Sequence, residues 1–196
     1  MSNKITLDNK DLEFNESFLP CLVIGADKSG ASYFSVTLAG KLIQQGSKVI
    51  YFTAFPMAKE ELLNQIGNER TFDVLNEIDI ANIPEDKSII VQSGNKDLWT
   101  KVIQGIKNIN EYIIFVKNIE EYDNSIFEII GENKKILLSG DLDNCIYKEN
   151  LVQKEWVSKI IFTVPKIDLN INIPNLEKYE SYLDSKDIKG VLRLVK

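Results

Sequence analysis

Short apolar runs alternate with helical patterns along most of this chain, and that alternation restricts its fold more than any other feature. The runs are continuous rather than interrupted by polar residues, as in IIFV at 113–116 and KILL at 135–138. Continuous apolar runs are typical of strands that are buried on both faces. Strands joined by helices form right-handed crossovers and a parallel sheet. The sequence therefore predicts a three-layer α/β domain with a mostly parallel central sheet flanked by helices.

The predicted elements follow one another without a linker, repeat or low-complexity tract, so we expect one domain over residues 1–196. We expect strands at Leu22–Ile24, Val49–Thr53, Ser88–Val91, Tyr112–Val116, Lys135–Leu138, Lys159–Val164 and Gly190–Val195. We expect helices at Ala31–Gln45, Lys59–Ile66, Asp97–Ile109, Ser125–Gly131 and Leu176–Leu183.

The composition excludes several classes of function. The chain has no histidine, which removes Ser-His-Asp and Cys-His catalysis and zinc sites with histidine ligands. Its 29 acidic residues outnumber its 23 basic ones, which argues against nucleic acid as a partner. Cys21 and Cys145 lack metal-ligand spacing and indicate free thiols in a reducing compartment. No apolar run reaches the roughly 18–20 residues that span a bilayer, so we expect no direct membrane contact by these residues.

A glycine-rich turn, GADKSGAS, follows the first predicted strand and precedes the first predicted helix. Gly25, Gly30 and Ser32 have the spacing of the phosphate-binding loop G-x-x-x-x-G-K-[ST]. In such a loop, backbone N–H groups at a helix N-terminus surround a phosphate, and the lysine supplies a positive charge. Ala31 stands where the lysine belongs, and Lys28 is the only cation within the turn. The sequence predicts a nucleotide site that lacks its main charge.

A second element of a nucleotide site is also altered. After IIFV, where an acidic pair would support magnesium, the sequence has Lys117 and Asn118. Glu120 and Glu121 follow, and we expect them to lie beyond the strand end as a solvated pair directed elsewhere. A lost charge-assisted hydrogen bond costs about 1.5–3 kcal/mol, or roughly ten- to a hundredfold in phosphate affinity. We therefore expect no catalytic residue, no metal site and no required cofactor, with at most weak binding of ATP and magnesium.

The C-terminal half carries a resemblance to a known family. The segments SKIIFTV (158–164), KIDLNI (166–171) and IKGVLRL (188–194) resemble the end of FtsK/SpoIIIE-type ATPase domains. Residues 5–26 are similar to the strand that leads into the phosphate loop of that family. The resemblance implies a RecA-like P-loop fold. Gly140 departs from the family's polar glutamine, and with the changes above the chain is most similar to the degenerate C-terminal ATPase domain of type VII secretion coupling proteins of the EssC/EccC family.

This resemblance implies a function as well as a fold. It implies a domain from a longer, membrane-anchored protein, lying on the cytoplasmic side of the cell membrane. Its partners would be secreted helical-hairpin proteins and the neighbouring ATPase domains of the same polypeptide, and its role would be recognition and regulation rather than catalysis. Trp99 and Trp156 are weak candidates for contacting a substrate, although such tryptophans more often lie in a core.

Two other interpretations stay open at this point. One is a weakly active RecA/KaiC-like ATPase in which Lys28 or Lys117 replaces the missing lysine. The other is a structural α/β subunit that binds no nucleotide.

Overall fold

The computed structural model describes residues 4–8, 10–54, 62, 71–74, 83, 87–123, 135–177 and 180–195. The strands are β1 (Lys4–Leu7), β2 (Lys10–Asp11), β3 (Cys21–Ile24), β4 (Lys48–Thr53), β5 (Thr71–Val74), β6 (Ser88–Gln92), β7 (Tyr112–Lys117), β8 (Ile136–Gly140), β9 (Ser158–Ile161), β10 (Glu180–Ser185) and β11 (Lys189–Val195). The α-helices are α1 (Ala31–Gln44), α2 (Lys96–Gly105) and α3 (Lys148–Gln153). Single 3-10 turns lie at Glu16–Phe18, Ile109–Glu111 and Ile119–Glu121.

The strands form one sheet in the order β2-β1-β11-β10-β9-β3-β8-β7-β4-β6-β5. All pairings from β9 to β5 in this order are parallel. The pairings among β2, β1, β11, β10 and β9 are antiparallel and extend the sheet at one side. The predicted α/β class with a mostly parallel sheet is confirmed.

Two apolar layers bury the two faces of the sheet. Strand β7 shows the division, because Ile113 and Phe115 face the layer that contains α1, whereas Ile114 and Val116 face the layer that contains α2. Side chains alternate between faces along a strand, so a strand covered on both sides needs apolar residues throughout. This double burial explains the continuous apolar runs of the sequence.

One predicted helix is wrong. The segment predicted as a helix over Leu176–Leu183 contains β10, which pairs with β9 and β11. Leu183 and Ser185 are buried and Tyr182 and Asp184 are half-buried, so the burial has the period of two that a strand requires. Pairing in the sheet therefore overrides the helical spacing of the apolar residues in this segment.

Other predicted boundaries differ by a few residues. Helix α2 ends at Gly105, not at the predicted Ile109, because Ile106 is extended and buried. Strand β9 ends at Ile161 instead of Val164. The predicted helix Ser125–Gly131 lies outside the described residues. So does the predicted helix Lys59–Ile66, apart from residue 62, which is helical and buried.

Candidate functional site

The glycine turn joins β3 to α1 as the sequence predicts, and both of its glycines are required by geometry. Gly30 caps α1 with φ of +102°, in the left-handed region that side chains other than glycine's disfavour. A Cβ on Gly25 would overlap the Ser29 hydroxyl and lie 2.7 Å from the Ala31 Cβ. The turn lies at the carboxyl end of a parallel strand, where α/β folds bind ligands.

Several backbone N–H groups of this turn have acceptors within the chain. The Ala26 N–H donates to Thr163 Oγ1 at 3.3 Å, and the Ser29 N–H donates to the Ala26 carbonyl at 3.1 Å. The Ala31 N–H donates to Ser29 Oγ at 3.4 Å. A phosphate bound in this turn would need such N–H groups as its donors, so it would have to displace these bonds.

Phe162 packs against the glycine turn. Its N–H donates to the Ile24 carbonyl at 2.8 Å, which continues the pairing of β9 with β3 past the strand end. A Cβ on Gly25 would lie 3.1 Å from the Phe162 Cβ, and a Cβ on Gly30 would lie 3.5 Å from its ring. The Phe162 ring also contacts Phe34 of α1, with centroids 5.6 Å apart. The sequence pattern predicts Phe162 only as part of a strand and does not indicate this contact.

The other predicted residues of the turn differ in exposure. Ala31 is 3% exposed and belongs to the apolar layer around α1, so a buried methyl group occupies the position of the missing lysine. Ser32 is exposed at the start of α1. Lys28 is exposed with φ of +62°. No described residue of the turn provides a buried cation.

The end of β7 lies at the same edge of the sheet as the glycine turn. In the register, Lys117 pairs with Ser139 of β8, and Ile24 of β3 pairs with Gly140. Strand alternation places Lys117 on the face that carries α1. Asn118 follows with φ of +63° and ends the strand. The structure thus brings Lys117 and Asn118 to the edge where an acidic pair would support a metal ion.

Glu120 does not lie where we expected it. The 3-10 turn after Asn118 directs the half-buried Glu120 carboxylate back to β8, where Oε2 accepts the Asp141 N–H at 2.9 Å. It lies against Gly140, whose carbonyl accepts the Gly25 N–H at 3.0 Å. The prediction of a solvated pair directed elsewhere is therefore wrong for Glu120. In the sequence, Asn118 before the acidic residues could have indicated this turn, because asparagine tolerates the left-handed conformation.

The donor set at this edge does not fit a nucleotide-bound metal ion. Among the described residues, no group of three or more acidic, cysteine or histidine side chains lies close enough to hold a metal. Glu120 accepts a hydrogen bond from the Asp141 N–H just after β8, and Lys117 lies at the end of β7. At this edge, Lys117 occupies the position where an acidic metal ligand would be expected.

The two tryptophans have different surroundings. Trp99 of α2 is 1% exposed, and its ring centroid lies 4.3 Å from that of Phe52 and 4.4 Å from that of Tyr122. It is a core residue, as most buried tryptophans are. Trp156 is half-buried beside β9, with Lys154 Nζ 5.8 Å from its ring centroid. Only Trp156 offers a surface to a partner.

Comparisons with known proteins agree with this architecture. No protein-family model and no curated protein sequence matches the chain. The genome packaging NTPase B204 from Sulfolobus turreted icosahedral virus 2, solved with AMPPCP, is 12% identical with a TM-score of 0.61, covering 93% of this chain and 99% of that one. The cytoplasmic domain of EssC is 12% identical with a TM-score of 0.54, covering 95% of this chain and 40% of that one. The conjugation coupling protein TcpA from pCW3 is 10% identical with a TM-score of 0.51, covering 98% of this chain and 65% of that one.

Within the described residues, no helix has the length and apolar character needed to cross a membrane. At the identities above, similarity of structure shows the fold alone. The chain has the RecA-like fold of P-loop ATPases, and the resemblance to FtsK/SpoIIIE-type ATPase domains is confirmed at the level of that fold.

Proposed function

We propose that this chain is a catalytically degenerate ATPase domain of a type VII protein secretion motor. It recognises a secreted helical-hairpin protein and regulates the neighbouring ATPase domains of the same polypeptide. The observation that carries the proposal is the set of residues at and around the glycine turn. Ala31 and Lys117 replace the groups that would bind phosphate and magnesium, and Phe162 and Thr163, just after β9, contact the turn.

The sizes of these effects argue against efficient hydrolysis. The missing lysine costs about 1.5–3 kcal/mol of phosphate binding. Displacing the half-buried Phe162 side chain from its contacts would add a cost below the about 1.5–3 kcal/mol of a fully buried side chain. Since 1.4 kcal/mol is a factor of about ten, the two effects together weaken binding by on the order of a hundredfold or more. Without an acidic ligand at the end of β7, a metal ion would be held less tightly, so less charge stabilisation would reach the transition state.

The setting in a secretion motor is supported by fold and charge. EssC contains a domain of the same fold, and this chain spans 40% of that solved EssC chain, as one domain of a longer polypeptide would. The formal charge of −6 favours a protein partner over DNA. The parent protein would be membrane-anchored, with this domain on the cytoplasmic side. No cofactor is required for this role.

Calorimetric titration with Mg-ATP, paired with a phosphate-release assay, tests the loss of catalysis. We expect no saturation up to about 1 mM ATP and no turnover above that of the Ala31→Asp variant, which places a negative charge in the turn. Micromolar binding with magnesium-dependent turnover would contradict the proposal. Stimulation of that turnover by DNA would instead favour a packaging function like that of B204.

Substrate recognition needs a separate test. The purified chain is used to capture small secreted helical-hairpin proteins from the same organism. A variant with substituted surface residues serves as the control for non-specific capture. Saturable capture of at least one candidate is expected. Failure to capture any of them, together with absence of ATP binding, would favour a purely structural subunit.

One observation favours the second candidate function, a weakly active ATPase. Strand alternation places Lys117 on the same face of the sheet as α1, whose N-terminus carries the glycine turn. Lys28 is exposed and belongs to the turn itself. If the chain hydrolyses ATP, Lys117→Ala should abolish turnover and Lys28→Ala should retain it.

A further inference from the structure

A cavity of about 200 Å³ lies near the amino ends of β3 and β9, at the opposite end of these strands from the glycine turn. Trp156 and Val157, just before β9, form one wall, and the start of the β10–β11 hairpin turn forms another. Ser158 pairs with Cys21 at the start of β3, whereas the glycine turn follows Ile24 at its end. At about 3.3 Å per residue, the cavity and the glycine turn are on the order of 10 Å apart.

The lining of this cavity is basic. Lys159, Lys186 and Lys189 line it together with one carboxylate, that of Asp184. Lys189 forms an ion pair with Asp184 at 2.5 Å. Lys159 and Lys186 have no ion-pair partner in the part of the chain that the structure describes. Two unpaired cations therefore lie together on a protein whose formal charge is −6.

An apolar surface accompanies these cations. Val157 is 40% exposed, and Trp156 is half-buried beside it. Exposed apolar side chains next to unpaired charges are typical of binding sites, where the apolar group supplies contact area and the charges supply orientation. Cofactor and drug pockets usually measure about 300–1,000 Å³, so a smaller cavity suits one or two side chains of a peptide.

We propose that this cavity binds an acidic segment of a partner protein. An apolar side chain of the segment packs on Trp156 and Val157, and its carboxylates accept hydrogen bonds from Lys159 and Lys186. A single-stranded nucleic acid fits the cavity less well, because a base must stack on an open face of the Trp156 ring and Lys154 lies over one face. An apolar side chain needs no such face, since it can pack on Val157 and the rest of the indole. This inference depends on the proposed function in one respect, that the partner is a protein. Measurable ATP turnover would contradict the proposed function but would not bear on peptide binding in this cavity.

Tryptophan fluorescence gives a direct assay of this site. Trp99 is 1% exposed and contributes a constant background, so a change on titration reports Trp156. The probes are a short blocked peptide of alternating glutamate and leucine, its counterpart with glutamine in place of glutamate, and a short oligothymidylate. Calorimetry with the parent protein confirms the binding by a signal that does not depend on tryptophan.

We expect the glutamate peptide to bind at least about tenfold more tightly than the glutamine peptide, with an affinity that falls as salt is added. The Lys159→Gln/Lys186→Gln variant should lose at least about tenfold in affinity. Lys10→Gln/Lys166→Gln removes the same charge from exposed positions elsewhere and should bind as the parent does.

Four results would overturn the inference: equal binding of the two peptides, tighter binding of the oligothymidylate, an unchanged affinity in Lys159→Gln/Lys186→Gln, or no binding up to about 1 mM peptide. Thermal unfolding of each variant separates lost binding from lost folding.

Discussion

Replacing Gly140 with alanine adds a methyl group at the end of β8, where the neighbouring turn leaves no space for it. The new Cβ would overlap the Glu120 carboxylate and lie 2.8 Å from the Ile119 backbone N. The Glu120 side chain can rotate away, but the Ile119 backbone can move only if the turn after β7 shifts. Gly140→Ala therefore tests whether that turn packs against β8 as closely as the site geometry requires.

Two contributions set the size of the cost, and the φ of +158° at Gly140 adds backbone strain to them. Overpacking in a filled site costs about 1–3 kcal/mol. Moving Glu120 also breaks its 2.9 Å hydrogen bond from the Asp141 N–H, and a bond to a charged group contributes about 1.5–3 kcal/mol. Because Glu120 is only half-buried, the lower part of each range applies, and we expect a loss of about 2–4 kcal/mol. For a domain of this size, that loss lowers the melting temperature by about 4–16 °C.

Urea unfolding followed by fluorescence of the buried Trp99 measures this loss. Gly94→Ala is the matched control, because a Cβ at Gly94 meets nothing within 4 Å, and it should change the free energy of unfolding by less than about 0.5 kcal/mol. If Gly140→Ala costs less than about 1 kcal/mol, the turn after β7 does not pack against β8 as described, and the argument that Glu120 is bound there fails.

Two further predictions concern titratable groups away from the glycine turn. The Glu177 N–H, at 2.9 Å, and the Arg193 guanidinium hold the pKa of Glu180 below its ordinary value of 4.5. A depressed pKa in the folded state stabilises the protein above the unfolded pKa, and this contribution is lost as the pH falls through the folded pKa. Glu180→Gln should therefore lower the urea midpoint at neutral pH, with the difference from the parent shrinking below about pH 4; a difference that stays constant with pH would contradict this. Burial raises the pKa of Cys21 to about 12 and also raises the pKa of Cys145. At about pH 8, iodoacetamide should therefore label neither thiol in the native protein but both thiols in urea. Mass spectrometry measures the labelling.

Much of the fold was predictable because its signals are local. The parallel strands β3, β4, β6, β7 and β8 are buried along most of their length, so their apolar runs are readable without knowledge of their neighbours. The glycine spacing is readable for the same reason, since Gly25 and Gly30 meet steric demands of their own turn. The hairpin of β10 and β11 was not predictable in full, because the apolar residues before Leu183 also fit a helix and only pairing with β9 decides between the two.

By itself, the sequence determined the layered α/β architecture and the absence of the loop lysine and of an acidic residue at the end of β7. These are properties of residue type at adjacent positions. Only the tertiary structure decided what lies around the glycine turn. Phe162 and Thr163 contact it from the segment just after β9, with Thr163 137 positions away from Ala26 in the chain, and Glu120 contacts the end of β8 through a turn. Likewise, the lysines beside Trp156 come together only because β10 pairs with β9 in an antiparallel register, and no local pattern specifies that register.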